Sequence, residues 1–151
     1  MFYGEFYQQT DEKGRVRIPA KLKPAFGEHI TITKGTDGCL FLFGEREWST
    51  QFAEKLTAIP ASDESVRRSV RVFFSSASEL ENDNQGRSLL PRNLREYANI
   101  KKDIVFIGVG NRAELWAKET YDAYMSGKLV KATAESTDFD KLFAELKKYG
   151  V

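Results

Sequence analysis

Asp11-Glu12-Lys13-Gly14-Arg15-Val16-Arg17-Ile18-Pro19-Ala20-Lys21-Leu22 decides the fold, because Asp83-Asn84-Gln85-Gly86-Arg87-Ser88-Leu89-Leu90-Pro91-Arg92-Asn93-Leu94 repeats it. At an offset of 72, Asp11 meets Asp83, Gly14 meets Gly86, Arg15 meets Arg87, Pro19 meets Pro91 and Leu22 meets Leu94; Ile18 faces the similar Leu90. The chemistry is that of a tight turn feeding a strand. The aspartate opens the turn and the glycine supplies a positive φ. Arg15-Val16-Arg17-Ile18 alternates polar and apolar, as a half-buried strand does, and Pro19 ends it.

The parallel extends outward. Phe2 and Phe74 each precede the aspartate by nine residues. After the motif, Ile30–Thr33 faces Ile104–Ile107. Gly35 then faces Gly108, Leu42 faces Leu115, Phe43 faces Trp116 and Trp48 faces Tyr121. Two copies are too few for a solenoid, so two pseudo-twofold-related β units sharing one domain are expected.

The remaining elements follow from periodicity. Strands are expected at Gln8–Thr10, Ile30–Lys34, Cys39–Phe43, Arg87–Leu90, Ile104–Gly108 and Ala113–Trp116, with a brief helical turn at Lys21–Phe26. Thr36-Asp37-Gly38 reads as a hairpin turn. Trp48, Phe52, Leu56 and Ile59 share a helical face that Pro60 stops. Ser62 or Asp63 can cap a second helix carrying Val66, Val70, Phe73, Phe74 and Ala77. A third holds Tyr121, Tyr124 and Met125 and ends at Gly127. Residues 128–137 read as a linker before a last helix, capped by Thr137 or Asp138, with Phe139, Leu142, Phe143, Leu146 and Tyr149 at helical spacing. The fold class is α+β. The organisation is 1–61 for the first repeat and its helix, 62–127 for a helix leading into the second repeat and its helix, and 128–151 for the linker and final amphipathic helix.

Composition narrows the function. The chain has 151 residues, one Cys and one His, which excludes an intrachain disulfide, a cysteine-rich zinc site and a multi-histidine metal site. No stretch reaches the ~20 apolar residues of a membrane span, and the N-terminus has no apolar run of signal length. A cytoplasmic protein without cofactor or metal is expected. The formal net charge is only +1, so its distribution matters. Residues 11–24 carry Lys13, Arg15, Arg17, Lys21 and Lys23 against Asp11 and Glu12, a net of +3. Residues 83–95 carry Arg87, Arg92 and Arg95 against Asp83, a net of +2. Two basic turns on one surface suit a polyanion. An arginine on such a turn can reach phosphates or base edges, and the aspartate four residues earlier can hold its guanidinium in a bidentate pair. The plainer reading is an Asp–Arg staple within each turn. Duplication with extra cations favours nucleic acid.

These segments, with Phe2-x-Gly4 at the start and Leu94-Arg95-Glu96-Tyr97-Ala98 after the second motif, resemble the MraZ family over essentially the whole chain. The resemblance implies a small barrel like those of AbrB, SpoVT and MazE DNA-binding domains. It implies a bacterial transcriptional regulator, nucleoid-associated and assembled into homo-oligomeric rings. Its ligand would be double-stranded DNA with tandem short repeats, upstream of the division and cell-wall gene cluster and of its own gene. Arg15, Arg87, Asp11 and Asp83 match the family's Asp-x-x-x-Arg motif and carry its DNA-binding role, with Lys13, Arg17 and Lys21 as weaker candidates. The chain departs from the family pattern at Ser88, where an apolar strand residue is usual. An alternative is an antitoxin-like protein-interaction module whose basic turns bind an acidic partner.

Rival chemistry is weaker. Gly108-Val109-Gly110-Asn111-Arg112-Ala113 fits a dinucleotide fingerprint, but a helix and a second parallel strand do not follow; a hairpin turn is the better reading. Cys39 begins an apolar strand, so a Cys39–His29 nucleophile pair gives way to a buried structural cysteine. Ser75, Ser76 and Ser78 read as packing and capping, and Glu79 and Glu81 as a solvated strand face rather than a metal site. The aromatics read as core rather than as a stacking platform for single strands.

Overall fold

The computed structural model describes residues 1–60, 62–128 and 134–150, with backbone alone over 134–139. Eight strands alternate with helices: β1 (Glu5–Gln9), β2 (Arg15–Val16), α1 (Lys23–Phe26), β3 (Ile30–Lys34), β4 (Leu40–Gly44), α2 (Glu54–Ala58), α3 (Glu64–Ser76), β5 (Ser78–Leu80), β6 (Ser88–Leu89), α4 (Arg92–Tyr97), β7 (Asp103–Gly108), β8 (Ala113–Ala117), α5 (Lys118–Met125) and α6 (Ala134–Leu146). Every pairing between these strands is antiparallel. The fold is α+β.

Six strands form one sheet in the order β1-β7-β8-β4-β3-β5, and β2 pairs with β6 in a separate two-stranded ribbon. The repeats interleave. β1, from the first repeat, lies on β7 of the second, with Gln8 opposite Ile104. β5, from the second repeat, lies on β3 of the first, with Leu80 opposite Ile30. In the ribbon, Val16 faces Ser88, two positions 72 apart in the chain. Tyr97 in α4 donates its hydroxyl proton to the carbonyl of Gly35, 2.6 Å away in the first repeat's hairpin.

The sheet is buried on both faces, which is why Leu40-Phe41-Leu42-Phe43 is an unbroken apolar run rather than an alternating one. Ile32, Leu40, Leu42, Ile104, Phe106 and Leu115 face a core completed by Val16, Ile18, Leu22, Leu90 and Leu94 from the turn segments. Phe41, Phe43, Val105 and Trp116 face the opposite core, covered by Phe52, Leu56, Val66, Phe73 and Leu146 from the helices. The buried aromatics are thus packing groups, among them the edge-to-face pair Phe52–Phe73 at 4.8 Å. Cys39 is fully buried in this second core, and burial pushes its thiol pKa well up, the opposite of an activated nucleophile.

Local chemistry explains the boundaries. Asp63 caps α3, its carboxylate accepting from the Ser65 and Val66 amides. Gly27 and Asn99 end the short helical segments after each motif with positive φ, 78° and 53°. Gly108–Ala113 is a hairpin connection between β7 and β8, as Thr36–Gly38 is between β3 and β4. Ser88 is buried although polar, because its hydroxyl donates to Asn82 Oδ1 at 2.7 Å. This polar residue is therefore satisfied by a neighbour instead of exposed.

Several expectations need correction. β2 and β6 are two-residue strands, not four, because the chain turns toward Pro19 and Pro91 while Ile18 and Leu90 stay buried. Phe2 bridges to Gly110 and is buried, but Phe74 lies on α3 and is partly exposed, so the repeat does not extend that far upstream. Lys34, not Gly35, corresponds to Gly108: they pair with Leu40 and Ala113, which occupy equivalent places in β4 and β8. The first hairpin loop is simply one residue longer. The helix after β4 starts as a π-helical stretch, Glu47–Ala53, before α2. The last helix begins at Ala134, ahead of the expected caps Thr137 and Asp138, since Ala134 and Glu135 are good helix formers. Of the expected linker, residues 129–133 lie outside the described residues and 134–137 are helical instead; the side chains of Thr137, Asp138 and Phe139 also lie outside them.

Gly108 makes the N-terminal strand possible. A Cβ there would sit 2.2 Å from the Tyr3 nitrogen, where the Phe2–Gly4 backbone crosses. Gly108→Ala is expected to cost about 1–3 kcal/mol through this overpacking. Calorimetry should show Tm lower by roughly 3–10 °C; an unchanged Tm would mean that the N-terminal strand does not dock as described.

Candidate nucleic-acid interface

Each motif builds the same turn from the same atoms. In the first, the Asp11 amide donates to the Arg15 carbonyl (3.1 Å) and the Gly14 amide to the Asp11 carbonyl (3.0 Å). In the second, the Asp83 amide donates to the Arg87 carbonyl (2.7 Å) and the Gly86 amide to the Asp83 carbonyl (3.1 Å). Asp11 Oδ1 accepts the Lys13 and Arg15 amides, both at 2.9 Å. Asp83 Oδ1 accepts the Gln85 and Arg87 amides at 2.8 and 2.9 Å. The other carboxylate oxygens take the arginine side chains: Arg15 Nε to Asp11 Oδ2 at 2.6 Å and Arg87 Nε to Asp83 Oδ2 at 3.0 Å.

The expected bidentate pair is therefore not what forms. One oxygen of each aspartate is consumed by backbone amides, which leaves a single oxygen for the guanidinium. The second guanidinium contact goes across to the other repeat. Arg15 Nη1 lies 3.6 Å from Asp83 Oδ2, and Arg87 Nη1 lies 3.7 Å from Asp11 Oδ2. Pairing of β2 with β6 brings the four side chains, 72 residues apart in sequence, into one reciprocal lattice. Nη2 of each arginine takes no hydrogen bond or ion pair among the described residues. A guanidinium so held has lost its rotamer freedom already and still has N–H groups to donate.

The weaker candidates divide. Lys13 is exposed at the tip of the first turn. Arg17 is not a loose cation: its Nη1 donates to the Gln85 carbonyl at 2.6 Å, and its backbone exchanges two hydrogen bonds with the Gln8 side chain, at 2.7 and 3.0 Å. It ties the first repeat to the second turn. Lys21 lies apart from the lattice and lines a different depression with Met1, Tyr3, Glu5 and Phe6. Gln8, Gln9, Asp11, Arg15, Val16, Arg17 and Arg87 line a shallow groove of about 240 Å³ beside the lattice.

Arg95 was legible only as charge, yet it braces the first turn from the second repeat. Its Nη1 makes a long 3.5 Å contact with the Lys13 carbonyl. Gly14 is favoured by its φ of +79°, and a Cβ there, 2.2 Å from that nitrogen, would displace the Arg95 guanidinium. Nothing local in the sequence predicts a contact across 82 positions. His29 pairs with Glu79 through Nδ1 at 2.5 Å.

The class of protein follows: two copies of one β unit, sharing a sheet and joining their Asp–Arg turns into a single composite surface. The chain belongs to the MraZ family. The family model described as "MraZ protein, putative antitoxin-like" matches residues 1–72 and again 73–142. The chain is 47% identical over 132 residues to the Transcriptional regulator MraZ of Acetivibrio thermocellus, covering 87% of this chain and 92% of the relative. It is 42% identical to that of Clostridium beijerinckii over 151 residues, the whole of both chains. With that of Carboxydothermus hydrogenoformans it shares 46% over 127 residues, 84% of this chain and 88% of the relative. These relatives are named regulators, not enzymes. Among the described residues, no helix is long and apolar enough to cross a membrane.

The turns depend on ionised carboxylates. Hydrogen bonds from the Arg15 and Arg87 amides, chiefly, hold the Asp11 and Asp83 pKa values below the ordinary 3.8. Stability from a depressed carboxyl is present above the unfolded value and lost as pH falls through the folded one. The amide resonances of Lys13 and Arg15, and those of Gln85 and Arg87, should each titrate with a midpoint below 3.8. A transition above pH 5 would contradict the capping geometry.

Proposed function

We propose that this chain is a bacterial transcriptional regulator that binds short direct repeats in double-stranded DNA through the composite turn surface. The reciprocal Asp–Arg lattice carries the reading: it presents two fixed guanidinium groups, one from each repeat, at neighbouring places on one face. Arg15 and Arg87 are the main contacts, to base edges or phosphates, and Asp11 and Asp83 orient them. Lys13, Arg17 and Lys21 add charge, Arg17 from the groove beside the lattice. The names of the relatives support regulation of transcription.

The finer parts of the reading rest on the family resemblance and on the strand order. Exchanging β1 with β5, β7 with β3 and β8 with β4 returns the same sheet, which supports a pseudo-twofold between units, closed into an AbrB/MazE-like barrel. One chain offers few phosphate contacts, so useful affinity calls for several heads on tandem repeats. A homo-oligomeric ring supplies them through effective concentration. The targets are the promoter of its own gene and the adjoining division and cell-wall cluster, and the protein is cytoplasmic and nucleoid-associated. The family's antitoxin-like description favours a second reading, in which the turns meet an acidic protein and any DNA binding lacks sequence preference.

Fluorescence anisotropy separates the two. A labelled duplex with several direct repeats from upstream of the gene is titrated against a scrambled duplex at two salt concentrations. Preference that survives higher salt establishes sequence reading; equal binding that vanishes with salt moves the search to a protein partner. Arg15→Ala should lose about 1–3 kcal/mol per engaged head, enough to abolish promoter binding across several heads, while circular dichroism and light scattering show fold and assembly intact. Normal binding by that variant would place recognition elsewhere.

A further inference from the structure

The two turns are alike, but the loops beside them carry opposite charge. In β1, Gln8 pairs with Ile104 and Gln9 with Asp103; in β5, the equivalent Leu80 pairs with Ile30. The loop that enters β7 therefore flanks the first turn, and the loop that enters β3 flanks the second. The first flank is held close: the Thr10 amide donates to the Lys102 carbonyl at 2.8 Å, and the Thr10 hydroxyl to the Lys101 carbonyl at 2.6 Å. Thr10 is the residue immediately before Asp11.

Lys101 and Lys102 are exposed and form no salt bridge among the described residues. They rim a depression of about 790 Å³ with Lys118 and Lys128, facing Asp103, Glu119 and Asp122. Two of the opposing charges are engaged: Asp103 accepts from Gln9 Nε2 at 3.1 Å, and Asp122 pairs with Lys118 Nζ at 2.6 Å. The second flank carries Glu28, His29 and Glu81, all exposed, with Glu79 on His29. The His29 pKa is raised by Glu79 first, then Glu45 and Glu28, as expected where carboxylates converge. The backbone of the Lys101–Lys102 loop is fixed, its cations face solvent, and it adjoins a guanidinium pair. A polyanion lying across the turns would meet lysines on one side and carboxylates on the other.

We propose that the Lys101–Lys102 loop is a phosphate-binding extension of the DNA interface, and that the carboxylate flank repels duplex on the other side, so that each head sits on DNA in one orientation. The inference rests on the reading that the turns bind duplex DNA. A head with like flanks would bind equally well reversed; unlike flanks give it a direction, which suits repeats that all run the same way.

The test is anisotropy of the full-length protein with the promoter duplex over a salt series, for wild type, Lys101→Ala/Lys102→Ala, Glu28→Gln/Glu81→Gln, and a control lacking two exposed remote lysines, Lys55→Ala/Lys147→Ala. Losing two phosphate contacts should flatten the slope of log K against log salt by about 1.8 per engaged head, or roughly 60-fold in affinity at 0.1 M if the curves meet at 1 M. Preference over scrambled duplex should persist, the control should keep the wild-type slope, and the Glu variant should bind more tightly at low salt. Phosphate-ethylation interference should lose contacts on one flank of each repeat only. Wild-type binding with an unchanged slope in the Lys101/Lys102 variant overturns the extension and leaves the turn reading standing. No wild-type preference for the promoter duplex overturns both. A smaller oligomer in light scattering for the Lys101/Lys102 variant assigns the loop to contact between copies instead, and also overturns it.

Discussion

Neither repeat completes its own sheet. β1 leaves the first repeat to lie on β7, and β5 leaves the second to lie on β3. Unpaired buried backbone is costly, so each repeat needs the other's strand to satisfy its own amides and carbonyls. The same exchange sets β2 against β6, with Val16 opposite Ser88. From that single pairing follow the meeting of the turns, the reciprocal Asp–Arg contacts and the cross-braces from Arg17 and Arg95. The composite turn surface is thus built into the folding unit rather than added to it.

The lattice is electrically balanced: two carboxylates hold two guanidinium groups. Net attraction for a polyanion therefore comes from its surroundings, and the lattice contributes geometry. The arginines are held before any ligand arrives, so little side-chain entropy remains to be lost when they engage one. Exposed lysines do the opposite: they are mobile, strongly hydrated point charges that follow a phosphate backbone without reading it. A surface that combines fixed arginines with mobile lysines separates discrimination from affinity.

Duplication leaves room for divergence. Ser88 stands where the first repeat has Val16 and is equally buried, its hydroxyl bonded to Asn82. Phe2 sits in a strand-edge bridge while Phe74 sits on a helix, since the chain entering the second repeat arrives from α3 rather than from a free end. The loops beside the turns differ in charge, with lysines at one and glutamates around His29 at the other. Packing constrains the turns and strands on all sides, whereas the flanks answer only to solvent and to whatever binds there.

Much of this protein was legible in one dimension. The repeated Asp-x-x-Gly-Arg turns, the hairpins, the α3 cap at Asp63 and the apolar strands all rest on local rules of φ/ψ preference, periodicity and hydrogen bonding within a few residues. The candidate residues Asp11, Arg15, Asp83 and Arg87 were legible for the same reason, because each turn is made from five consecutive positions. Tertiary structure alone decided that each guanidinium would be shared with the opposite aspartate, that Arg17 would brace the far turn, that Lys21 would lie apart, and that Arg95 would pack over Gly14. Those contacts join residues some 70 to 80 positions apart, and no local preference encodes which strands will pair at that separation; burial of both sheet faces chooses the pairing, and the side chains meet as its consequence.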